Sequence, residues 1–130
     1  MKDIENSNDI ELLVNEFYRK VREDKVVGYI FNDVVKINWN KHLPLMYDFW
    51  DNAILFSGKY EGNPMNLHKH LHHIKYLDST HFSRWVQLFL ATVDELFEGP
   101  KAALAKKRAN NISVIMQEKI LLHQINPGIC

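Results

Sequence analysis

The sequence predicts an all-α fold, and two observations carry that prediction. Apolar residues recur at the three- and four-residue spacing of a helix in several long segments, and no segment shows the sustained alternation of a half-buried strand. The connections between these segments are short and contain Gly and Pro, which interrupt helices. Periodicity alone leaves open whether the helices form an up-and-down bundle or another all-α arrangement.

The first predicted elements lie in the N-terminal half of the chain. Apolar residues share one face of a helix over about 9–23, and Asn8 is a candidate N-cap. The stretch VVGYIF at 26–31 follows and is too short to classify by its period. The next helix is predicted over about 42–56, with Pro44 close to its start, where a missing amide costs least.

The C-terminal half begins with a connection over 57–67, which contains two Gly and one Pro. A histidine-bearing turn or short helix over about 66–74 comes next. Asp78 or Ser79 can cap the following helix, which ends at a glycine, and Pro100 suits the first turn of the last helix.

Composition indicates a folded domain without an obvious charged partner. Of the 130 residues, 46% are hydrophobic and 25% charged, which is ordinary for one folded domain. We expect a single domain over 1–130, with its ordered core at about 8–122 and a C-terminal tail over 123–130. Lys and Arg total 16, as do Asp and Glu, so neither nucleic acid nor an anionic membrane is an expected partner.

The N-terminal stretch lacks the basic and apolar regions of an export signal, and no apolar segment reaches the length of a membrane span. We therefore expect a cytoplasmic protein. Cys130 is the only cysteine, which excludes an intramolecular disulfide and a metal site built on thiolates.

Histidine and aromatic content favour a flat ligand held by a nitrogen donor. Aromatic residues reach 12%, and four of the seven histidines, His68, His70, His72 and His73, fall within six residues. Haem iron commonly takes an imidazole as its axial ligand. The residue types leave two alternatives open: solvent-facing histidines, and a divalent metal site in which His68 and His72 share one ion.

Several motifs follow one another along nearly the whole chain, about residues 8–120: Phe17-Tyr18, Ile30-Phe31, His42-Leu43-Pro44 with Phe49-Trp50, Tyr60-x-Gly62-x-Pro64-x-x-x-His68, His81-Phe82-x-x-Trp85-x-x-x-Phe89, and TVDELFEGPKAALAKKRANNI. Their order and spacing resemble those of the third group of truncated haemoglobins. The glycine-pair motifs of the other truncated groups are absent. The resemblance implies a truncated globin whose helices pack two over two as a sandwich around haem b.

The resemblance assigns His68, four residues after Pro64, as the proximal ligand of the haem iron. The other three histidines of the cluster are then expected to remain solvated. The resemblance implies no catalytic residue and favours a gas-binding haem protein over an enzyme, with a dioxygenase- or peroxidase-like side activity as the open alternative.

The resemblance also implies a polar distal side of the pocket. Tyr18 and Trp85 match the two distal residues that donate hydrogen bonds to the gas ligand, and His42 matches the residue at the distal gate. Core packing would explain Tyr18 and Trp85 as well, and an exposed histidine without a role is the alternative for His42.

The remaining candidates would contact the haem itself. Tyr60 and Arg84 are candidates for holding the haem propionates, because a guanidinium suits a carboxylate; a plain surface arginine is the alternative for Arg84. The residues expected to line the haem cavity, or the core next to it, are Phe17, Phe31, Met46, Phe49 and Trp50.

The function that the resemblance implies is reversible binding of the diatomic gases O2, NO and CO at the haem. Three polar distal residues lean away from simple O2 carriage and towards redox chemistry on NO or peroxide, for which an unidentified reductase would be the partner. The alternative is a non-haem helical protein that binds a divalent metal through its histidine cluster.

Overall fold

In a computed structural model of the chain, residues 1–34, 38–59 and 78–125 are described. These ranges contain α-helices and no strand, as the periodicity predicts. A short π-helical turn, Ile30–Val34, lies between the first two α-helices. The α-helices are α1 (Ser7–Glu23), α2 (Trp39–Leu55), α3 (Ser79–Leu96) and α4 (Pro100–Ile125).

Helix α1 begins two residues before the predicted start. Asn6, rather than Asn8, is its N-cap, and the Asn6 side chain accepts a hydrogen bond from the backbone amide of Asp9. After the helix ends, Gly28 packs against its last turn, where a Cβ atom would lie 2.8 Å from the carbonyl oxygen of Arg22. A glycine is therefore needed at this close approach of two backbone segments.

Helix α2 begins at Trp39, three residues before the predicted start. Pro44 consequently lies inside the helix, where its ring removes one backbone hydrogen bond. Phe56 ends the helix in the left-handed region, with φ at 58°. The Lys101 ammonium lies 4.9 Å from the Phe56 ring and also donates a hydrogen bond to the carbonyl of Ile54, so α4 supports this helix end.

Helix α3 has the cap that the sequence predicts. The Asp78 carboxylate accepts hydrogen bonds from the amides of Thr80 and His81, and Nδ1 of His81 accepts one from the Asp78 amide. Helix α3 ends at Leu96, three residues before the predicted end at Gly99, and Pro100 is the first residue of α4, as predicted.

The N-terminal segment caps α4 from outside that helix. The Asp3 carboxylate accepts hydrogen bonds from the amides of Lys101 and Ala102 at 2.9 and 2.8 Å. Ile4 is buried, with 2% of its surface exposed. Residues that precede the expected core at about 8–122 therefore contribute to both the core and a helix cap.

The four helices pack as two crossing pairs. Helix α1 packs against α2 and α3, while α4 packs against α3 and α2. Thr92 of α3 and Ala105 and Ala109 of α4 are small residues without exposed surface, and small residues allow helices to approach closely. This is the two-over-two sandwich that the resemblance predicts. Its centre, between α1, α2 and α3, is filled by aromatic side chains.

Candidate functional site

Aromatic residues of three helices meet around Phe17, which lies on α1 and has no exposed surface. Its ring makes edge contacts with Trp85 and Phe89 of α3, at centroid distances of 5.4 and 5.0 Å. Phe89 stacks on Trp50 of α2 at 4.6 Å. Such aromatic pairs each stabilise a fold by about 0.5–1.5 kcal/mol beyond the area that they bury. We call Phe17, Trp50, Trp85 and Phe89 the inner aromatic cluster.

Tyr18 follows Phe17 on α1 and is buried, with 4% of its surface exposed. Its ring lies 5.3 Å from the His42 ring in an edge contact, so two predicted distal residues are neighbours. Burial raises the pKa of the Tyr18 hydroxyl well above its usual value, because a phenolate would be desolvated there. The hydroxyl therefore stays protonated near neutral pH and can donate a hydrogen bond.

His42 lies in the first turn of α2 and is half-buried. Its Nε2 atom is buried. An imidazole nitrogen can donate or accept a hydrogen bond, so His42 adds a second polar group beside Tyr18.

Trp85, the third predicted distal residue, is half-buried on α3. It contacts Phe17, which in turn contacts Tyr18 at a centroid distance of 4.8 Å. The structure thus brings Tyr18 and His42 into direct contact and places Trp85 one ring away. Whether these groups face a gas ligand stays a prediction.

The residues expected to line the haem cavity all belong to this core or pack against it. Met46 and Trp50 are buried, and Phe31 and Phe49 are half-buried. Phe49 lies 5.2 Å from Trp50 in an edge contact. Their burial is equally what core packing requires, so it does not by itself identify a cofactor site.

Arg84, a candidate for the haem propionates, is paired with a carboxylate of the protein. Its Nη2 and Nε atoms lie 2.7 and 2.8 Å from Oδ1 of Asp24. Burial alone would raise the pKa of Asp24, but hydrogen bonds from Arg84 and from the amides of Val26 and Val27 outweigh it and lower that pKa. The ion pair joins α3 to the turn after α1 and occupies the guanidinium with a different partner from the predicted one.

Tyr60, His68, His70, His72 and His73 lie outside the described residues. The predicted proximal ligand and the alternative metal site therefore stay predictions. The described ranges contain no group of three or more His, Cys, Asp or Glu residues placed to bind a metal ion.

The segment that leads into this undescribed stretch is tied to the fold. The Lys59 ammonium donates a hydrogen bond to the Ser7 hydroxyl at 2.9 Å and lies 3.5 Å from Oδ2 of Asp51, a buried residue. The Asn52 side chain accepts a hydrogen bond from the Gly58 amide. These contacts set the position from which the chain leaves α2.

The sequence reasoning missed Trp39. Its ring lies 5.4 Å from Tyr18 and 5.7 Å from His42, closer to the predicted distal pair than Trp85 is shown to be. The available signal was its spacing, because Trp39 and His42 are three residues apart and such residues share a helix face.

No helix within the described ranges is both long and apolar enough to cross a membrane.

Comparison with known proteins identifies the family. The chain is 30% identical over 118 residues to the group 3 truncated hemoglobin ctb of Campylobacter jejuni, a match that covers 88% of this chain and 91% of that protein. The crystal structure of the group III truncated hemoglobin from Campylobacter jejuni matches with a TM-score of 0.73 at 28% identity, covering 92% of this chain and 95% of that one. No family model matches the chain. The sequence identity and the shared all-α fold agree over nearly the full length of both proteins, and this chain belongs to the group 3 truncated haemoglobins.

Proposed function

We propose that this chain binds haem b and uses it to bind diatomic gases (O2, NO or CO) reversibly. The observation that supports the proposal most directly is the Tyr18–His42 pair, in which the ring of a buried, protonated tyrosine makes an edge contact with an imidazole beside other aromatic rings. The donors suit a small polar ligand, and the apolar surroundings suit a porphyrin. The family to which the chain belongs supports the same cofactor.

The residues of this chain fit the two sides of a haem. His68 is the proposed proximal ligand, and Phe17, Met46 and Trp50 belong to the apolar core against which the macrocycle would lie. When bound, haem supplies an iron centre that coordinates a diatomic gas. Tyr60 remains the proposed propionate contact. Arg84 pairs with Asp24, so it would bind a haem propionate only by giving up that carboxylate or by binding both.

The distal side chains act by hydrogen bonding and by excluding water. Tyr18 supplies an O–H donor and Trp85 an indole N–H donor. Tyr18 contacts Phe17 of the inner aromatic cluster and Trp85 belongs to that cluster, so each bond would form in a medium of low dielectric constant, where it is stronger than in water. We propose that His42, near the start of α2 and in ring contact with Tyr18, regulates access to Tyr18.

Three polar groups at one site favour polarisation of the ligand over simple O2 carriage. We therefore include redox chemistry on NO or peroxide in the proposal, with a reductase as the electron donor. The proposal also treats residues 1–130 as one globin domain that acts in the cytoplasm.

The test is the absorption spectrum of the purified ferrous protein. We expect an intense Soret band that shifts on addition of CO, and we expect His68→Ala to abolish the histidine-ligated spectrum. His70→Ala and His72→Ala are matched controls that should leave the spectrum nearly unchanged. A colourless protein that binds zinc would support the divalent metal alternative instead, and an intact spectrum in His68→Ala would refute the proximal assignment.

A further inference from the structure

Trp39 links the distal pair to the protein surface. It is the first residue of α2 and half-buried, and its indole makes ring contacts with both Tyr18 and His42. Phe31, from the π-helical turn, lies 6.4 Å from it on centroids. Three segments of the chain therefore meet at this one indole.

Arg22 holds the same indole. Its guanidinium carbon lies 4.7 Å from the centre of the Trp39 ring, within the range of a cation–π interaction. Its Nε atom donates a hydrogen bond of 3.4 Å to the carbonyl of Tyr18, and its own carbonyl accepts one of 3.1 Å from the Asn32 side chain. Arg22 is exposed whereas Tyr18 is buried, so Trp39 lies between the solvent side of the site and the hydroxyl-bearing residue.

The start of α2 depends on these contacts. Asn38, its N-cap residue, makes no side-chain hydrogen bond to the helix, whereas the N-caps of α1 and α3 both do. A helix start without a side-chain cap is less stable by about 1 kcal/mol and frays more readily. His42 lies in this first turn, so the packing of Trp39 restrains the residue that would gate the pocket.

We propose that Trp39, stacked against Arg22, is a positioning residue that sets the orientations of Tyr18 and His42. Trp39 does not itself donate to the ligand. It restricts rotation of the two neighbouring rings and keeps the first turn of α2 against α1. The inference rests on the proposed gas-binding function. In it, the Trp39–Arg22 pair determines how slowly O2 is released relative to CO.

The experiment compares four variants of the haem-loaded protein. Trp39→Leu removes the ring and keeps an apolar side chain, and Trp39→Phe keeps an aromatic ring. Arg22→Gln removes the cation from the stack, and Arg19→Gln is its matched control. Arg19 is also exposed on α1, where it pairs with Glu16 and Glu23, away from the indole.

The first measurement is release of O2 and CO from the ferrous protein, together with the infrared stretching band of bound CO. We expect Trp39→Leu to accelerate O2 release about threefold or more relative to CO release and to broaden or split the CO band. Arg22→Gln should act in the same direction with a smaller effect. Trp39→Phe should retain most of the wild-type ratio of O2 to CO release, and Arg19→Gln should have the wild-type ratio.

A second measurement is independent of O2 binding. The pH titration of Tyr18 is followed by NMR in the CO form of the protein, with ¹³C-labelled tyrosine rings. The Tyr18 signal is assigned as the one that is lost in Tyr18→Phe. It should resist ionisation through the pH range near 10 in which exposed tyrosines titrate. In Trp39→Leu the Tyr18 hydroxyl should ionise at a pH closer to that of the exposed tyrosines, because loss of the indole leaves Tyr18 less buried.

The outcomes separate this inference from the proposed function. The positioning role is overturned, and gas binding is left intact, if Trp39→Leu and Arg22→Gln both behave like the wild type. This result requires an unchanged ratio of O2 to CO release, an unchanged CO band and an unchanged Tyr18 titration in both variants. A wild-type protein that forms no CO complex would refute the proposed function itself. If Trp39→Leu fails to fold, Arg22→Gln decides the question, because the exposed Arg22 side chain can change without opening the core.

Discussion

Tyr18→Phe distinguishes a ligand-binding hydroxyl from a residue that only packs. The change removes one oxygen atom and keeps the ring, so the contacts at 5.3 Å with His42 and 5.4 Å with Trp39 can persist. Only 4% of the Tyr18 surface is exposed, so water has little access to replace the lost donor. Any change in gas release is then attributable to the hydroxyl.

The expected magnitude follows from the value of one hydrogen bond. A net hydrogen bond contributes about 0.5–1.5 kcal/mol, and about 1.4 kcal/mol corresponds to a tenfold change in an equilibrium constant. Bound O2 carries partial negative charge and accepts hydrogen bonds, whereas CO is much less polar. We therefore expect O2 release to accelerate by roughly tenfold and CO release to change far less.

The assay is stopped-flow displacement of each gas from the ferrous protein. Tyr29→Phe is a matched control, because 50% of the Tyr29 surface is exposed and water can take over the hydrogen bonds of its hydroxyl. Trp85→Phe should act in the same direction as Tyr18→Phe, and non-additive rates in the double variant would show that the two donors share one ligand. If Tyr18→Phe and Trp85→Phe both release O2 and CO at wild-type rates, the two residues are core packing and the polar-pocket reasoning is wrong.

Three further predictions concern stability. On the proposed function, removing haem should lower the melting temperature, because a ligand that binds only the folded state stabilises it; equal temperatures for the apo and holo proteins would show that the cofactor is peripheral. Asp3→Ala should destabilise the fold by about 0.5–2 kcal/mol in urea unfolding, since α4 loses its cap, whereas the exposed Glu11→Ala should be nearly neutral. The lowered pKa of Asp24 means that its pairing with Arg84 stabilises the protein above about pH 4 and is lost as pH falls through the folded-state pKa. Arg84→Gln should therefore be less stable than the wild type at pH 7 and closer to it at pH 3; a difference independent of pH would contradict this account.

Local features of the sequence predicted the parts of the fold that depend on neighbouring residues. Asp78 caps α3 because its carboxylate reaches amides two and three residues ahead, a geometry that any helix start offers. Pro100 begins α4 because its fixed φ suits the first turn of a helix and its missing amide costs little there. The spacing of apolar residues likewise predicted which faces of α1 and α3 are buried.

The order of motifs predicted the family, and through it the residues of the site. Phe17, Tyr18 and Trp50 are buried, and the Tyr18 ring contacts the His42 ring. Burial of these residues does not distinguish a haem pocket from an ordinary core, because both require the same apolar residue types.

Contacts between segments distant in sequence were decided only by the tertiary structure. Asp3 caps a helix that begins 97 residues later, and Arg84 pairs with a carboxylate 60 residues away. Trp39 reaches Tyr18 and Arg22 only because α2 packs across α1. Spacing along a chain indicates which residues share a face of one helix, whereas the partner across an interface depends on how two helices cross, which no local pattern encodes.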